Sequence, residues 1–203
     1  MTSFNHLLRY ASVILIVTTA CAIANGADED LRAGVRAVFQ TANHSGGLIV
    51  HLGCRDGALA AALGQKKSFI IHGLDPSSAK VAQARKLIRE KGLYGRVSVE
   101  RWTGDTLPYA DNLVNLIIAG REPVSLQDIA RVLTPGGVVL FKGKRTSRDP
   151  RLEIQPAGEL PLWTTMVKKI PAEIDEWSTY LHAADHNAVA TDSRVCPPRR
   201  KHY

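Results

Sequence analysis

The sequence predicts an α/β domain over residues 27–142, with a mainly parallel sheet of five or six strands and helices on both faces. Three observations predict it. Short apolar runs alternate with stretches of helical periodicity along this segment. The stretches between runs are long enough to act as crossovers, which parallel neighbours require. Apolar residues make up 45% of the chain and charged residues 22%, near globular averages, so a buried core is within reach.

The first helix is expected over 28–43, where Leu31, Val35, Val38 and Phe39 share a face and acids occupy the first turn. Gly47 to Leu52 is a short apolar run ending at glycine and reads as a buried strand. A small-residue helix follows over 58–63, then a second strand over 68–74. Asp75-Pro76-Ser77-Ser78 offers a cap and an early proline for a helix that runs through Val81, Ala84, Leu87 and Ile88 to about Lys91. Further strands are expected over 96–101, 112–119 and 137–142, with a helix over 124–133 before the last.

In such sheets ligands bind beyond the carboxyl ends of the strands, so the residues after each strand carry the functional question. After the first strand stands Gly53-Cys54-Arg55-Asp56-Gly57, a glycine-rich turn entering a helix, where backbone can approach a ligand closely. A dinucleotide fingerprint would need glycine at 55 and 58, which are Arg and Ala, so a nicotinamide cofactor is disfavoured. Asp75 follows the second strand, where nucleoside-binding sheets place an acid for ribose hydroxyls. The third strand is followed by Gly104-Asp105-Thr106.

Read in order, VHLGCRDG, HGLDPSSAKVAQAR, GDTLPYADNLVNLII and ARVLTPGGVVLF resemble the class I S-adenosylmethionine-dependent methyltransferases, in particular their type-11-like domain. The resemblance covers roughly residues 40–142. It implies a Rossmann-like three-layer sandwich with strand order 3-2-1-4-5 and S-adenosylmethionine as cofactor. It also implies that Gly53, Cys54 and Gly57 line the methionine part, that Asp75 grips the ribose, and that Asp105 and Thr106 lie beside the adenine. Leu133-Thr134-Pro135-Gly136-Gly137 resembles the family's turn before its fifth strand. Three positions depart from the pattern: His51 stands where the family has an acid for the cofactor's amino end, Arg55 replaces the middle glycine of the loop, and Asn115 replaces a common Asp. No residue is named as catalytic and no metal is expected. His51 and His72 lie on neighbouring strands as candidate bases, although a packed strand histidine is the plainer reading.

The flanks read differently. Residues 1–26 follow the logic of a signal peptide, with Arg9, an apolar run from Tyr10 to Ala24, and small residues at Ala22-Ile23-Ala24 and Ala24-Asn25-Gly26. Export to the periplasm or envelope is expected; a lipobox-like Thr19-Ala20-Cys21 and an uncleaved membrane anchor are the alternatives. Three cysteines build no disulfide framework. Residues 143–203 are expected to be a partly irregular extension, although 162–168 could add one strand. His182 and His186 stand four apart without a supporting metal motif. The stretch from Pro171 to Arg200 resembles a linker in exported bacterial proteins, where a methyltransferase-like domain precedes pyrroloquinoline-quinone-type β-propeller repeats. With the chain ending at Tyr203, the expectation is a docking arm or the remnant of a longer, truncated product rather than a propeller. The net charge of +7 is spread thinly and dense only at Arg194, Arg199, Arg200 and Lys201, so no nucleic-acid partner is expected. The acceptor, a small molecule or a protein, is left open. So is a catalytically degenerate module serving as a binding or scaffold domain.

Overall fold

The computed structural model describes residues 29–120, 123–156, 158, 160 and 162–173. Helix α1 covers 29–42. It is followed by β1 (Gly47–Leu52), α2 (Ala58–Leu63), β2 (Phe69–Asp75), α3 (Ser78–Glu90), β3 (Val97–Arg101), β4 (Val114–Ala119), α4 (Leu126–Val132), β5 (Leu133–Lys142), β6 (Leu152–Gln155) and β7 (Trp163–Lys168). The sheet runs β3-β2-β1-β4-β5-β7-β6. The first five strands pair in parallel, and β7 joins β5 and β6 antiparallel.

The order 3-2-1-4-5 is the one expected, but the sheet has seven strands rather than five or six. β7 is the strand foreseen at 162–168. β6 was not foreseen, because three of its four residues are exposed and it carries no apolar run. The expected boundary at Lys142 therefore falls inside the sheet, where Val138 to Lys142 pair with Val167 to Trp163. The expected turn at Leu133–Gly137 is instead the first half of β5. Leu133 already pairs with Val114, and the Pro135-Gly136-Gly137 stretch shows as a register shift against β4, with Gly136 at φ 75°. Proline and glycine produce a bulge here, not a reversal, because α4 delivers the chain directly to the sheet at Leu133.

Alternate strand residues feed two cores. Ile49, Ile71, Val99, Ile118 and Leu140 pack against α1, α2 and α3; Val50, Leu74, Ile117, Val139 and Phe141 pack against α4 on the other face. Burial on both sides explains why these strands read as near-continuous apolar runs. Each fully buried Ile or Leu contributes on the order of 2 kcal/mol. Both well-formed helix starts are capped: the Ser77 hydroxyl accepts from the Lys80 amide and the Ser125 hydroxyl from the Asp128 amide. Asp128 in turn accepts from the Leu107 amide and from Arg131, whose guanidinium also reaches Asp111 and the Leu107 and Tyr109 carbonyls. This network fastens the segment after β3 to α4.

Candidate functional site

The loop between β1 and α2 is built by backbone conformation. Gly53, Arg55 and Gly57 have φ of 65°, 51° and 80°, so three of five consecutive residues are left-handed. Arg55 is the one with a side chain, which costs about 1 kcal/mol relative to glycine. The loop leans on β2, with the Gly53 amide donating to the Leu74 carbonyl at 2.8 Å. Asp75 is 2% exposed, and its two oxygens accept from the Arg55 amide at 3.0 Å and the Ser77 amide at 2.9 Å. The acid expected at the ribose thus also fixes the loop, each oxygen keeping a second lone pair. Asp56 accepts from the Ala58 amide at 3.1 Å, just before α2, whose N-cap is Gly57.

A cleft of about 520 Å³ opens over this loop at the carboxyl ends of β1, β4 and β5. Its walls are His51, the loop from Leu52 to Asp56, Leu59, Ile118, Gly120, Lys142 and Trp163. Of the expected cofactor residues, Gly53 and Cys54 line it. The Cys54 thiol itself is turned into the core, so close to Gly73 that a Cβ there would lie 3.0 Å from sulfur. Gly57 does not line the cleft. It lets α2 approach α3, since a Cβ would meet the Ala84 Cβ at 2.7 Å. Asp105 and Thr106 are exposed and also lie outside the cleft lining. Their loop starts beside Asp75, because the Trp102 amide donates to the Asp75 carbonyl and the Trp102 ring N–H closes on the Thr106 carbonyl.

Lys142 and Trp163 are the residues that sequence reasoning missed. They are directly opposite each other in the β5–β7 ladder. The signal was present at Lys142, the last residue of a foreseen strand; only the antiparallel return of β7 brings Trp163 to it.

His51 is 9% exposed, lines the cleft, and its Nδ1 has no hydrogen-bond partner. Burial pushes its pKa down to about 4, against the opposing pull of Asp75 and Asp56, so the ring is neutral at physiological pH. His72 faces the other side of the sheet, where its Nδ1 meets the Tyr109 hydroxyl at 2.8 Å and its Nε2 lies 3.8 Å from Glu100. It is a packed, hydrogen-bonded strand histidine; burial lowers its pKa, partly offset by Glu100. The same burial pushes the Tyr109 phenol up. Among the described residues no cluster of three or more metal-ligating side chains exists. His182 and His186 lie outside the described residues.

The cleft fits the amino-acid end of an adenosyl cofactor. Arg55 and Lys142 supply positive charge for its carboxylate, and the neutral His51 imidazole also lines the wall.

Residues 49–137 match the family model described as Methyltransferase domain. Over 100 residues the chain is 33% identical to the methyltransferase GfsG of Streptomyces halstedii, a match covering 46% of this chain and 36% of that protein's length. Among solved structures, the [4+2]-cyclase SpnF is 27% identical with a TM-score of 0.50, covering 56% of this chain and 46% of the cyclase. A Methanococcus maripaludis protein described as an S-adenosyl-L-methionine-dependent methyltransferase shares the fold at 19% identity. Its TM-score is 0.56, over 74% of this chain and 92% of that one. The chain thus spans about a third of the curated relative it matches. The stretch from β1 to the first half of β5 is thus similar to a methyltransferase domain.

Proposed function

We propose that this domain binds S-adenosylmethionine and transfers its methyl group to a small-molecule or protein acceptor that enters beside Lys142 and Trp163. The observation that carries the reading is the cleft itself. It lies over a left-handed loop anchored by Asp75, with the His51 imidazole, Arg55 and Lys142 in its lining. The cofactor's amino-acid end would lie over Gly53 and Cys54, its ribose toward Asp75, and its adenine beside Asp105 and Thr106. When bound, the cofactor supplies an electrophilic methyl on a sulfonium. The chain's contribution is position: the loop amides and His51 orient one end, while Leu59, Ile118 and Trp163 exclude water from it. Burial that lowers the ring's pKa to about 4 makes His51 a weak base, so it is given no proton-transfer role. Calorimetric titration of the full chain with S-adenosylhomocysteine tests this: micromolar binding is expected, and no heat at millimolar ligand would sink it.

A second reading, a binding or scaffold module whose cofactor loop has drifted, draws on one feature. Arg55 holds a position where glycine is favoured, and its side chain stands at the cleft. On that reading, Arg55→Gly combined with His51→Asp should create or sharply improve cofactor binding.

The address and the C-terminal linker belong to the proposal as well. Export through residues 1–26, or anchoring by them, and a docking partner for the extension rest on sequence alone, since 1–28 and 174–203 lie outside the described residues. The likeness to the linker of propeller-containing proteins has the same footing. A disulfide-dependent alkaline phosphatase fused after Gly26 should be active, since it matures only outside the reducing cytoplasm; an expressed but inactive fusion would remove the export reading.

A further inference from the structure

The charges around the cleft are uneven. The acids near the loop are held by backbone amides: Asp56, the one acid in the cleft lining, accepts from Ala58 and keeps its charge, and Asp75, behind the loop, accepts from Arg55 and Ser77. The third ionisable group, His51, is neutral under ordinary conditions. Two cations remain, Arg55 and Lys142, both exposed, and neither has a side-chain hydrogen bond or ion pair among the described residues. They stand on opposite sides of β4: Arg55 follows β1, Lys142 ends β5, and β1-β4-β5 are consecutive in the sheet. Two strand spacings put those strand ends about 10 Å apart, within the combined reach of an arginine and a lysine toward one anion.

We infer that Arg55 and Lys142 form an anion-holding pair for the carboxylate of the cofactor's amino-acid end, so that this carboxylate, and not the ammonium, is the main anchor of that end in this chain. The inference rests on the cofactor reading above. Arg55 is the stronger partner, because a guanidinium pairs with a carboxylate through two parallel hydrogen bonds and Lys142 adds a point charge. The left-handed backbone at Arg55 is consistent with this use, since strain of that kind persists where the surroundings fix it. His51 stands where the resemblance implies an acid, and as a neutral ring it offers the ammonium no charge pairing.

The test is a set of calorimetric titrations of the full chain with S-adenosylhomocysteine and with its decarboxylated analogue. The parent, Arg55→Gly, Arg55→Lys and Lys142→Met are compared. Arg55→Gly is a safe variant for folding, because glycine suits the φ of 51°. The parent should prefer S-adenosylhomocysteine over the analogue by about ten- to a hundredfold, as expected for charge-assisted bonds. That preference should collapse to within about threefold in Arg55→Gly, be partly restored in Arg55→Lys, and fall by a smaller factor in Lys142→Met. If the parent binds both ligands equally, or Arg55→Gly keeps the full preference, the inference is overturned while the cofactor reading stands. If Arg55→Gly binds S-adenosylhomocysteine more tightly than the parent, Arg55 obstructs the cleft and the inference is likewise overturned. No binding of either ligand by the parent overturns the cofactor reading and the inference with it.

Discussion

The two halves of the sheet make unlike contributions to one cleft. The β3-β2-β1 side is parallel, crossed by helices, and holds the loop in place through Asp75 and three left-handed residues. The β5-β7-β6 side is antiparallel, has no helix after β5 among the described residues, and supplies a wall through Lys142 and Trp163. Backbone geometry fixes the first half, and side chains brought across a ladder make the second. Substitutions should therefore act through strain and packing on one side and through lost side-chain contacts on the other.

Gly57 and Gly143 sharpen that contrast most. Both have positive φ, but a Cβ at Gly57 would lie 2.7 Å from the Ala84 Cβ, whereas nothing stands within 4 Å at Gly143. Gly57→Val should cost about 4 kcal/mol in urea unfolding, from overpacking plus left-handed strain, and Gly143→Ala only about 1 kcal/mol. Equal costs would break the comparison.

His51 gives the loop side a pH signature. Its ordinary pKa of 6.5 falls to about 4 in the folded chain, so below about pH 6.5 the unfolded chain takes up the proton first. Stability from this group is therefore complete above pH 6.5 and declines by about 3 kcal/mol as pH falls toward 4. Urea unfolding at pH 7 and pH 4.5 should show that decline in the parent and a shallower one in His51→Asn.

On the wall side, Lys168 is the pin. Its Nζ donates to Asn112 Oδ1 at 2.6 Å and to the Leu133 carbonyl at 2.7 Å, tying β7 to the start of β5, and burial lowers its pKa. Lys168→Met should cost about 2 kcal/mol by leaving those acceptors without their donor. It should also weaken ligand binding through displacement of Trp163, readable as reduced tryptophan fluorescence change on titration. The smallest expected effect has the opposite sign: Arg55→Gly should raise stability by about 1 kcal/mol, since the residue change relieves left-handed strain.

The legible part of the molecule was the parallel run of strands from β1 to β5. Apolar runs and caps located β1 to β5 and the helices between them to within a few residues, because parallel strands buried on both faces announce themselves by composition. The motif residues were less uniform. Gly53 and Cys54 do line the cleft, whereas Gly57 looks the same in sequence and serves helix packing instead. No periodicity distinguishes a glycine that lines a cleft from one that meets Ala84. β6 escaped because an exposed edge strand needs no apolar pattern.

The sequence by itself determined the α/β alternation, a mainly parallel sheet and the residue types available after each strand. Local propensity and burial leave their mark on neighbouring residues, so these features can be read along the chain. Only the tertiary structure decided that the sheet continues through β7 and β6. It also decided that Asp75 holds the loop, and that Lys142 and Trp163 face the loop of Arg55 across one cleft. Those facts depend on ladder register and on contacts between residues far apart in sequence, and neither leaves a local trace.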